Sequence, residues 1–117
     1  MIPSIGRIVH YRLTDQDCAS IAHRRRRHSD DVEWANEHGS GVTKHQVFEG
    51  NQPKAGEVYP MMITRVWDLH PTEASCVQGQ VFLDGNDTIW KTSVQQHGQT
   101  YDPTVENGVW FEPVRTV

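Results

Sequence analysis

The sequence predicts an α+β protein: a small, strongly bent antiparallel sheet or SH3-like barrel of about five strands, with one long helix inserted after the first strand. Three observations point there. Short apolar runs alternate with a two-residue period, the signature of strands. One stretch, residues 15–37, has a three- and four-residue period instead. Turn residues are closely spaced, and strands and helices do not alternate as a parallel sheet would require. The 117 residues suit a single domain, 1–117.

The stretch 77–94, VQGQVFLDGNDTIWKTSV, organises the rest. Val77, Gly79, Val81 and Leu83 point one way; Gln78, Gln80 and Phe82 point the other. After the turn, Ile89, Lys91 and Ser93 alternate with Trp90, Thr92 and Val94. Between them, Asp84-Gly85-Asn86-Asp87 reads as a hairpin turn, because Gly and Asn tolerate the positive φ of tight turns.

Residues 6–13, GRIVHYRL, form the first strand, with Ile8, His10 and Arg12 opposite Val9, Tyr11 and Leu13. Thr14 and Asp17 then make a capping box for the helix over 15–37. Asp15 and Asp17 place negative charge at the positive end of its dipole. Cys18, Ile21, Ala22, Arg25, Ser29, Val32 and Ala35 fall on one face. That stripe lacks Leu, Phe and Met, so the helix either lies exposed across the barrel or packs on its counterpart in another subunit; the second is the expectation. Gly39-Ser40-Gly41 ends it.

Residues 41–58 read as a loop with a short strand at 44–48. Residues 59–68, YPMMITRVWD, are the most apolar run, with Met61, Ile63, Arg65 and Trp67 opposite Met62, Thr64 and Val66. A last short strand is expected over 108–114.

Composition excludes several functions. Net charge is -4, which argues against general binding of genomic nucleic acid. No apolar run is long enough to span a bilayer, so a soluble protein is expected. Cys18 and Cys76 are the only cysteines and lack metal or disulfide spacing. The default they imply is a reduced cytoplasm. The seven histidines form no HxH, HxxxH or HExxH pair, so no metal is expected. Neither GxSxG nor a cysteine with an obvious base is present. A hydrolase built from Asp84, Asp87 and a histidine is not asked for by any spacing. Nor is there a GxGxxG or a Walker loop, and no cofactor is expected.

What remains is a binding kit: Arg65, Trp67, Trp90, Lys91, Trp110, Phe111 and Arg115, on or beside strands. An aromatic ring opposite a guanidinium can sandwich a purine. Arg and Lys can hold phosphates, and Asn86 and Asp87 can bond ribose hydroxyls. The alternative for each tryptophan is the core. Trp67 is assigned there, whereas Trp90 and Trp110, each near a turn, stay open to both readings. The run Arg24-Arg25-Arg26-Arg27, flanked by His23 and His28, is either a solvated basic turn answered by Asp30, Asp31 and Glu33, or an anion site shared between symmetry-related helices.

The stretches GRIVHYRLTDQD, GEVYPMMITRVW, GQVFLDGNDTIWKTSV and GVWFEP resemble a family of short proteins encoded by tailed bacteriophages and prophages. In size, hairpin core and single long helix the chain also looks like the first family of Thoeris anti-defence proteins. These are phage sponges that hold cyclic ADP-ribose isomers made by host TIR enzymes without cleaving them. Some also bind cyclic oligonucleotides of the CBASS system. The resemblance implies a non-enzymatic protein of the infected host's cytoplasm, a homo-oligomer (dimer or hexamer) joined through its helices. It would place the purine sandwich on Trp90 and Arg115, where Trp stands in place of an expected Phe. Further contacts would fall on Arg65, Asn86 and Lys91, and a second anion site on Arg24 to Arg27. The rival expectations are a protein-binding inhibitor of host defence, such as an anti-CRISPR, and a small accessory virion protein.

Overall fold

A computed structural model of the chain describes residues 1–37, 48–99 and 104–113, with the side chains of 35 and 36 outside that description. The expected helix cap at Gly39-Ser40-Gly41, all but the last residue of the expected strand at 44–48, and Arg115 lie outside the described residues.

Among the described residues the fold is α+β, with one helix after the first strand and an open five-stranded antiparallel sheet. The elements are β1 (Ile8–Arg12), α1 (Asp15–Glu37), β2 (Val58–Val66), β3 (Val77–Phe82), β4 (Thr88–Val94) and β5 (Trp110–Phe111). The strand order is β4-β3-β2-β1-β5. The chain just after β4 also meets β5: the Trp110 amide donates to the Gln95 carbonyl and the His97 amide to the Trp110 carbonyl. The sheet is thus curled until its two edges touch at one end.

The concave face holds the core. Val9, Tyr11 and Leu13 of the first strand region meet Met61, Ile63, Val77, Val81, Leu83, Val94 and Trp110 there. Two bulges decide which residues join them. In β2 the register slips between Ile63 and Arg65, so Val66 pairs with Val77 on the core side. A one-residue slip reverses every later side chain. Simple alternation puts Arg65 and Trp67 inside; the bulge turns them out. Trp67 is 48% exposed, with the Arg65 guanidinium stacked 4.0 Å from its ring centre, so its assignment to the core is corrected. In β4 the slip comes at Thr92-Ser93, where Ser93 takes φ 52, and it brings Val94 inward opposite Val77.

The hairpin turn forms as expected, but for another reason. Gly85 has no positive φ. It is needed because Gly50 lies against it in an isolated antiparallel bridge, and a Cβ on either glycine would strike backbone of the other segment.

Helix α1 starts at the predicted capping box. The Asp17 amide donates to Thr14 Oγ1 and the Thr14 amide to Asp17 Oδ2, both at 3.0 Å. Its buried positions are Asp17, Ile21, Arg25 and Val32. Of the predicted apolar face, Ile21, Arg25 and Val32 are buried, Cys18 and Ala22 are half-buried, and Ser29 is exposed. With Ile21 the one aliphatic fully buried among the described side chains of the helix, ion pairs supply much of what seats it.

Candidate functional site

Two ion-pair clusters tie α1 to the β3–β4 hairpin. In the first, Arg25 grips Asp87 with a parallel fork: Nε donates to Oδ2 at 3.0 Å and Nη2 to Oδ1 at 2.9 Å. Arg25 Nη1 also donates to the Asn51 carbonyl at 3.0 Å. Arg24 adds a single bond, Nη2 to Asp87 Oδ2 at 3.1 Å. Burial alone would raise the Asp87 carboxyl; the two guanidiniums outweigh it and hold the group below its ordinary pKa.

In the second cluster, Lys91 Nζ donates to Asp17 Oδ1 at 2.6 Å, and the Tyr11 hydroxyl donates to Asp17 Oδ2 at 2.6 Å. Burial works against the ionised form of Asp17 too. The bonds from Lys91, the Thr14 amide and Tyr11 still leave its pKa lowered. Burial, then the adjacent carboxylate, push the Tyr11 hydroxyl far up, so Tyr11 is a fixed donor.

Between these clusters lies a cleft of about 350 Å³, lined by Gln16, Asp17, Ser20 and Arg24 of α1 and by Ile89, Trp90 and Lys91 of β4. Gln16, Ser20 and Arg24 are spaced by one helical turn and share a face. Strand β4 pairs with β3 on one side and is the last strand of the sheet, so among the described residues the cleft runs along a sheet edge. Two cations line it, Lys91 held by Asp17 and Arg24 by Asp87. Trp90 is 59% exposed at its border.

The structure brings together residues that the sequence assigned to two different sites. Trp90 and Lys91 share the cleft with Arg24 of the basic run. Others are dispersed. Trp110 is fully buried opposite Tyr11, so its ligand-binding role is corrected to a core role. Asp87 is shut under two guanidiniums and is not open to a ribose. Asn86 Oδ1 accepts from the Glu49 amide at 2.8 Å. Arg65 stands on the convex face beside Trp67, away from Lys91, whose side chain reaches α1. Arg115 lies outside the described residues.

The basic run divides as well. Arg25 is buried, Arg24 half-buried, Arg26 and Arg27 exposed. Arg24 and Arg25 are answered by Asp87 of the hairpin rather than by the helix's own carboxylates. His28 stacks on Phe48 at 4.0 Å between ring centres and accepts from the Phe48 amide through Nδ1. It is thereby engaged in holding the chain near Phe48. Gln16, Asp17, Ser20 and Ile89 were not anticipated as lining residues. The signal was present in the helix: the four-residue steps 16, 20 and 24 place two polar side chains on the face of Arg24.

Among the described residues, no three His, Cys, Asp or Glu side chains cluster as a metal site. No helix there is long and apolar enough to cross a membrane. Protein-family models, curated proteins and solved structures yield no significant match to the chain.

Proposed function

We propose that this protein is a non-enzymatic sponge, of bacteriophage origin, that binds a cyclic nucleotide immune signal and holds it uncleaved. The ligand class is a cyclic ADP-ribose isomer, with cyclic oligonucleotides as further members. One observation supports this most: Arg24 and Lys91 line one small cleft whose border is an exposed indole. The cations suit phosphate oxygens and the indole suits a purine face. The volume fits a small ligand rather than a macromolecule.

The cleft is open along β4, and a second copy of the chain would close it. We therefore propose a homo-oligomer, dimer or hexamer, built through α1, acting in the infected cell's cytoplasm. A sponge works by mass action, so it must bind at roughly nanomolar dissociation constants and be made in excess. Enclosure between subunits would add the stacking and charge-assisted contacts that one open cleft lacks.

The test is recovery of the ligand. Purified protein is mixed with a cyclic ADP-ribose isomer, freed of excess by filtration, and heated. Intact nucleotide in the released fraction supports a sponge. A hydrolysed product rejects it in favour of an enzyme, and no retained nucleotide rejects binding.

A further inference from the structure

Arg24 and Lys91 are not equivalent cations. Lys91 has one strong partner, Asp17, at 2.6 Å. Asp17 is buried, and without Lys91 its charge would keep, among the described residues, only the Tyr11 hydroxyl and the Thr14 amide. Drawing Lys91 to a ligand would therefore weaken the pairing of a buried carboxylate, which is costly. Lys91 is anchored.

Arg24 differs in three respects. Its single bond to Asp87 goes to Oδ2, the oxygen that already accepts from Arg25 Nε. Arg25 satisfies both Asp87 oxygens unaided, so the carboxylate stays paired if Arg24 leaves. The Arg24 Nε is closed off from solvent and has no hydrogen-bond partner among the described residues. A buried unmet donor is unfavourable, so its present position is the less satisfied one. Finally, the side chain is 36% exposed, borders the cleft, and stacks loosely over Phe48 at 5.3 Å.

We propose that Arg24 takes the ligand's phosphate by exchange: an oxyanion in the cleft replaces Asp87 as its acceptor, and Arg25 alone then holds Asp87. Arg24 is a spare guanidinium parked on a carboxylate that does not need it. Swinging toward the cleft offers its Nε and an Nη to two oxygens at once, the fork that phosphate and pyrophosphate accept. The ligand class is thus a phosphate or pyrophosphate ester. The inference rests on the cleft being the ligand site, but not on the ligand being cyclic.

Inorganic pyrophosphate and ADP-ribose serve as probes, with affinity read by titration calorimetry and the Arg24 and Arg25 Nε–H signals by NMR. The wild type should bind both, with the Arg24 Nε–H resonance shifting and that of Arg25 nearly still. R24Q should weaken both probes at least tenfold while leaving Tm within a few degrees. R24K should stay weak, since an ammonium lacks the fork. Equal binding by R24Q, or an unmoved Arg24 Nε–H signal in the saturated wild type, overturns the exchange while leaving the cleft as a site. Failure of the wild type to bind either probe overturns both the exchange and the cleft. Pyrophosphate bound through Arg24 with no cyclic nucleotide retained upholds the exchange and rejects only the sponge.

Discussion

Arg25 of α1 and Asp87 of the β3–β4 turn are joined by two parallel hydrogen bonds, at 3.0 and 2.9 Å, with both side chains nearly closed to solvent. This pair fixes the helix to the hairpin that carries one wall of the cleft. A buried pair of this kind adds little over apolar packing, but breaking it by removing one partner costs about 3–5 kcal/mol. D87A and R25M are each expected to lose stability of that order in urea unfolding. The double variant R25M/D87L should be more stable than either single one, because no buried charge is left alone. Additive losses would show that the two groups act separately.

Acid should release the same junction. Asp17 and Asp87 both have pKa values lowered by folding. Each therefore contributes stability that is present above the unfolded carboxylate pKa of about 3.9. That contribution is lost as pH falls through the lower folded value. Urea midpoints should be level from about pH 7 to 5 and fall steeply below about pH 4. In D87A the fall should be shallower, since one of the two depressed groups is gone.

Gly85 and Gly50 touch across the turn without room for a Cβ on either. G85A should cost about 3 kcal/mol or more, the top of the overpacking range, because rigid backbone cannot yield. At Gly56, φ is +87 but a Cβ meets nothing within 4 Å. G56A is expected to cost only about 1 kcal/mol, the strain of a left-handed residue. Similar losses measured at both sites by urea unfolding would contradict the close-approach account of Gly85.

The tryptophans separate core from surface. W110A removes a fully buried ring from the core and should cost about 3–5 kcal/mol. W90A removes an exposed one and should change stability by no more than about 0.5 kcal/mol. Under the proposed function it should nevertheless weaken nucleotide binding at least tenfold. Unchanged binding in W90A would remove the indole from the site.

Much of this architecture is readable in the residues. The capping box at Thr14 and Asp17, the helix extent, and the alternation in 8–12 and 77–82 all follow from local chemistry. What escaped reading is of one physical kind. Bulges at Ile63/Arg65 and Thr92-Ser93 change a strand's face without any strong local marker, so Trp67 and Val94 each landed on the wrong side. Gly85 looked like a turn glycine because DG pairs often are, whereas its role depends on Gly50, far off in sequence. The site was legible only in pieces. Arg25 falls on the packing face of the helix and Asp87 in a polar turn, and nothing in the sequence pairs them; their mutual burial exists only once helix and hairpin meet. The same contact divides the basic run into an anchor, Arg25, and a spare, Arg24, a distinction that four identical letters conceal.

A thermal-shift panel of cyclic nucleotides and ADP-ribose isomers on the wild-type protein tests the central claim most directly. A ligand held at nanomolar affinity stabilises only the native state and should raise Tm by several degrees. A flat response across the panel, at ligand concentrations well above micromolar, would contradict the sponge.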